Sequence, residues 1–155
     1  MAGGSTAEPV RSVRPEPVPV PGSAFPRRSP AGLLGAAWQG IVDAEHARTP
    51  AERYASAHLS ALRSAAAVLA ARARPGGARR GPTNAWALLI VVAPELTEWA
   101  AFFSAGSSKR AAASVGVPHA VTEREADDLL RDAQRFLTVV ETMLGAVRSL
   151  RSIAG

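Results

Sequence analysis

Arg53 and His58 are the one polar pair in this chain whose types and spacing suit catalysis. Histidine takes up and releases a proton near neutral pH. Arginine stays charged, and it stabilises negative charge building up on a phosphorane-like transition state. Five positions along a helix rotate two side chains apart by about 140°. Arg53 and His58 therefore do not share a face, and a common cleft would need a second copy of the chain. The bland reading stands beside this one: His58 as a partly buried histidine bonded within a bundle, and Arg53 as a surface or packing arginine. Three histidines in an arginine-rich chain produce about one such spacing by chance.

Other chemistry has less to draw on. Arg110 and His119 form a second, weaker pair, with eight residues between them. Arg72, Arg74, Arg79 and Arg80 cluster around PGGARRGP, where they are either phosphate contacts for a nucleic acid or the rim of a solvated loop. The chain has no cysteine, which removes disulfides, thiolate catalysis and thiolate zinc sites. Its three histidines are scattered, so no metal site and no cofactor are expected. The acidic run Glu123, Glu125, Asp127 and Asp128 reads as helix-end electrostatics rather than metal ligands. GAAWQG and PGG follow no strand and are not phosphate-cradling loops.

The residues that must position these pairs lie in helices. The stretch 49–74 opens with Thr49 as N-cap, Pro50 at the first helical position and Glu52 closing a capping box. Its interior is largely alanine, the strongest helix former, and Pro75-Gly76-Gly77 ends it. An earlier helix is expected from Ser29-Pro30 to near Arg48, with Leu33, Leu34, Ala37, Trp38, Ile41, Val42 and Glu45 as one stripe. A third is expected from Thr83, with Trp86, Leu89, Ile90, Ala93, Leu96, Ala100 and Phe103 facing inward. ALLIVV is apolar on every side, which predicts the most buried helix of the set. Pro94 should kink or split it near Ala93. Trp99 and Phe102 fall off the stripe and read as extra core. A short helix is expected over 109–114. The last helix starts at Thr122, with Glu125 completing a second capping box, and carries Arg124–Asp128 and Asp127–Arg131 pairs outward.

Three of these blocks, ERYASAHLSALRSAAAVLAARAR, NAWALLIVVAPELTEWAAFFSAG and VTEREADDLLRDAQRFL, occur in order and resemble the SAV-type actinobacterial branch of the HEPN domain superfamily. The resemblance covers roughly residues 30 to 150. It implies an all-α, up-and-down bundle of four main helices plus a short fifth over residues 30–153. It also implies either a helical interaction module or a metal-independent endoribonuclease, a toxin or stress effector, with the RNA 2′-hydroxyl as internal nucleophile. In such nucleases an arginine and a following histidine, with four to six residues between them, lie in a cleft between protomers. Arg53 and His58 have that spacing. Arg110 and His119 have the expected late position. The partners implied are RNA, another protein or a second copy of the chain.

Composition bounds the rest. One domain fits 155 residues. The net charge of +5 comes from seventeen arginines and one lysine. This suits a nucleic-acid binder, but alanine, arginine, glycine and proline in abundance are also what a GC-rich genome encodes. Residues 1–29 are rich in proline and poor in large apolar side chains, which predicts a disordered tail. EPVPVPG within it is either a polyproline docking peptide or idle chain. The N-terminus has no secretory h-region and the apolar run 85–93 is too short to span a membrane, so a cytoplasmic protein without membrane contact is expected.

Overall fold

The computed structural model describes residues 28–72 and 84–154. The proline-rich tail up to residue 27 and the whole basic loop 75–82 lie outside the described residues. Within them the chain is all-α. The helices are α1 (Pro30–Glu45), α2 (Pro50–Arg72), α3 (Ala85–Val92), α4 (Thr97–Ala105), α5 (Ser107–Ser114) and α6 (Glu123–Ile153), and a 3-10 turn, Pro94–Leu96, separates α3 from α4.

Local chemistry sets most of the starts. Ser29 accepts from the Gly32 amide at 3.1 Å and Pro30 follows it, opening α1. Thr49 accepts from the Glu52 amide at 3.1 Å, while the Glu52 carboxylate reaches one residue further back, to the Arg48 amide at 3.2 Å. At α6 the box is reciprocal: the Glu125 amide donates to Thr122 Oγ1 at 3.1 Å, and the Thr122 amide to Glu125 Oε2 at 2.9 Å. Pro94 splits the third helix as expected. Ala93 leaves helical geometry (φ −135°, ψ 75°), and the chain restarts through the 3-10 turn.

α2 is the axis of the bundle, packed against α1, α6, α5 and α3. Its small side chains allow close approach. Ser60 Oγ donates to the Ala37 carbonyl of α1 at 2.7 Å, and a Cβ built on Gly40 would stand 3.0 Å from Ser60 Cβ. α1 and α6 run antiparallel: Trp38 Nε1 donates to Glu141 at 2.9 Å, and Gln134 Nε2 to Glu45 at 3.0 Å, seven positions on along each helix. Trp86, Trp99, Phe103 and Phe136 fill the other side of α2, with ring centroids 5.3–6.3 Å apart. Such pairs contribute about 0.5–1.5 kcal/mol each beyond their buried area.

Several expectations need correction. α1 ends at Glu45 rather than near Arg48, and Asn84, not Thr83, caps α3 by accepting from the Ala87 amide at 2.8 Å. α5 begins two residues early, at Ser107. α3 is not the most buried helix. Trp86 and Leu89 are buried, but Ile90 and Val91 are 39% and 51% exposed. A helix apolar all round can bury only the face its neighbours cover, and α3 lies at the edge of the bundle, beside α2 and α4. Phe102 is likewise exposed, whereas Trp99 packs on Phe103 and Phe136. Asp127 pairs with Arg53 instead of Arg131, and Arg131 turns to Asp128 at 2.9 Å.

Candidate functional site

Arg53 lies in the first turn of α2, close to the end of α1. Its Nε donates to the Ala44 carbonyl and its Nη2 to the Ala47 carbonyl, both at 3.3 Å. Nη1 meets Asp127 of α6 at 2.6 Å. The planar guanidinium thus serves carbonyls at and just beyond the negative end of α1 with two nitrogens and an α6 carboxylate with the third. One side chain joins three helices.

His58 lies about one and a half turns later and does something different. It is buried, 1% exposed, and its Nε2 lies 2.8 Å from the Phe103 carbonyl of α4. A carbonyl can only accept, so Nε2 carries the proton. Nδ1 is then an acceptor, and it has no hydrogen-bond partner. Trp86 and Phe103 stand edge-on to the imidazole at 5.9 and 6.1 Å. Burial pushes the His58 pKa down. The bond to Phe103 opposes this in part, and the charge of Arg110 adds to the lowering. The ring is held neutral as a pin between α2 and α4.

The two sequence pairs are therefore redistributed. Arg53 serves the joint of α1, α2 and α6, and His58 the joint of α2 and α4. Arg110, half-buried on α5, acts electrostatically on His58. His119 lies in the exposed loop before α6 with φ 56°, in the left-handed region. Arg72 closes α2 in an ion pair with Glu95. Arg74, Arg79 and Arg80 lie outside the described residues.

Beside His58 is a group that no spacing rule singles out. Gly106 separates α4 from α5, and a Cβ there would come within 2.7 Å of the Tyr54 hydroxyl and 3.6 Å of His58 Cδ2. Lys109, the single lysine, meets Glu125 at 2.5 Å, tying α5 to the start of α6. That bond lowers the Glu125 pKa and raises that of Lys109. Burial raises the pKa of Tyr54, with Lys109 opposing and Glu125 adding. Tyr54 lies four positions before His58, but its neighbours on α5 and α6 come from distant parts of the sequence, so no local pattern exposes the group.

Arg53, His58, the α4–α5 junction and the capping box of α6 all fall within one stretch, residues 44–141, that matches the model of the SAV_6107-like HEPN family. That is more than half of the chain. The chain belongs to the SAV_6107-like HEPN family. Its HEPN region runs from the last turn of α1 into α6, so the pin and the clamp just described are both internal to it. No curated protein and no solved structure matches the chain. Among the described residues no helix of this HEPN protein is long and apolar enough to cross a membrane.

Proposed function

We propose that this HEPN protein works by binding, as a helical interaction module, and carries out no reaction with Arg53 and His58. The observation that supports the reading most is His58 itself. A general acid or base must come within hydrogen-bond reach of the group it serves. His58 is 1% exposed and has its one proton on the Phe103 carbonyl. Arg53, the charge that would stabilise a phosphorane, is held by Ala44, Ala47 and Asp127. Exposed Trp38, Val42, Ile90, Val91 and Phe102 provide apolar surface of the kind partners cover.

The ribonuclease reading has one feature in its favour: the unpartnered Nδ1, a lone pair able to accept a proton. In that reading His58 Nδ1 takes the proton of a 2′-hydroxyl, the 2′-oxygen bonds to phosphorus, and the 5′-oxygen leaves. Arg53 of a second copy balances the charge across a shared cleft, and opening of the α2–α4 joint precedes the reaction.

The two readings separate in one assay. The full-length protein is incubated with RNA in EDTA beside His58→Gln, which keeps a donor for the Phe103 carbonyl. The interaction reading expects intact RNA with both proteins. Cleavage by the wild type that disappears in the variant overturns it.

A further inference from the structure

The apolar stripe of α1 divides in two. Leu33, Ala37, Ile41 and Ala44 enter the core, while Leu34, Trp38 and Val42 form a second line four residues apart. Among the described residues, α6 meets that second line at Trp38, through Glu141. Leu34 is half-buried, and Trp38 and Val42 are 41% and 42% exposed. Trp38 does not swing free, because its indole N–H is fixed on Glu141 Oε1 at 2.9 Å. A large ring held with one face in solvent is the kind of side chain that carries binding energy at interfaces.

Among the described residues, the charged group in contact with this ring is acidic. Glu141 uses Oε1 for Trp38, and Glu45 uses Oε1 for Gln134. Both partners are neutral donors. Among the described residues neither carboxylate has a cation within ion-pair distance, and each keeps a second oxygen for an incoming donor. Arg131 and Arg135, the nearby cations of α6, already face Asp128 and Asp132 at 2.9 and 3.7 Å. Glu141 is level with Trp38 and Glu45 lies seven positions further along α1, so the two carboxylates are spaced along about 10 Å of axis on one side of the ring.

We infer that the Leu34–Trp38–Val42 stripe, with Glu45 and Glu141 beside it, is a docking surface for a basic, aliphatic-rich peptide segment of a partner protein. The partner's leucine- or valine-type side chains cover the stripe. Its lysine or arginine side chains bond the free oxygens of Glu45 and Glu141, and one of them stacks on the indole face. An acidic polymer such as RNA meets the wrong sign of charge here. This inference rests on the interaction reading and names the surface and the class of partner.

The test uses full-length, nitrogen-15-labelled protein and an amphipathic lysine–leucine peptide, with a glutamate–leucine peptide of the same pattern as control. The expected result is a saturable shift of the Trp38 indole signal with the basic peptide alone. Glu45→Gln combined with Glu141→Gln keeps acceptors for Gln134 and Trp38 and removes both charges. This variant should stay folded and bind roughly tenfold more weakly. Trp38→Ala should abolish binding. Equal response to both peptides, or undiminished binding by the double variant, overturns the inference. So does an indole shift that tracks protein concentration without peptide, which would make the stripe a contact between two copies. A Trp38→Ala change that instead moves the signals of residues 1–27 would make the chain's own segment the occupant and overturn it as well. If the peptide fails to bind and RNA stays intact, this surface alone is wrong. If RNA is cut, the interaction reading itself is wrong.

Discussion

Replacing Arg53 with alanine withdraws donors from two backbone carbonyls and from Asp127 at once. Urea unfolding should record a loss of about 1–3 kcal/mol. Lysine should recover less than half of it, since a single ammonium cannot fork between the end of α1 and α6. A loss below about 0.3 kcal/mol would mean that the clamp is decorative. His58 has a different signature. Its folded pKa lies below the ordinary 6.5 because burial disfavours the charged ring. As pH falls past that ordinary value, the unfolded chain binds the proton first. Stability then drops, by at most about 1.4 kcal/mol per pH unit, until the folded pKa is reached. Glu95 and Glu125 act in the same direction but in a more acidic window. The backbone amide of Glu95 and then Arg72 lower the first, Lys109 lowers the second, and their contributions are lost only as pH falls below the ordinary 4.5. Thermal melts between pH 7 and 5 therefore isolate histidine, and His58→Gln should flatten the dependence. Equal slopes in the two proteins would contradict a buried neutral ring. The chemistry of Arg53 was legible in its residue type. Its partner was not, because Asp127 lies 74 positions away and two nearer arginines compete for it on paper.

The helices themselves were readable where a start signal is local. Ser29, Thr49 and Thr122 each mark a cap through bonds within four residues. Pro94 marks a break through the amide it lacks. Burial was readable only where polar residues outline a face. α3 has no polar residue, so its pattern could not say which side meets the bundle, and Ile90 was assigned inward when it faces solvent. Close approach of α1 and α2 is a property of the pair and yields a paired prediction. Gly40→Ala would press a Cβ to 3.0 Å from Ser60 Cβ and 3.3 Å from Ser60 Cα, where backbone cannot yield. It should cost about 1–3 kcal/mol. Gly35→Ala, on the same helix with nothing within 4 Å, should stabilise by about 0.5–1 kcal/mol. Denaturant midpoints moving the same way for both would contradict the packing described.

At the scale of the molecule, a HEPN protein whose described residues form six helices, with α2 at the axis, sets the histidine of the motif inside the bundle and leaves apolar side chains on its rim. Family membership and the all-α class were legible because three helical blocks follow one another in order. The use made of Arg53 and His58 was not, since the same spacing serves a cleft or a core. The account turns on the state of one ring, and nitrogen-15 spectra of the imidazoles in the full-length protein report it directly. His58 should appear as the neutral Nε2–H form, titrate below 6.5 and stay unmoved when RNA is added. A His58 that titrates at or above that value, or whose signals shift with RNA, would contradict a histidine that belongs to the fold.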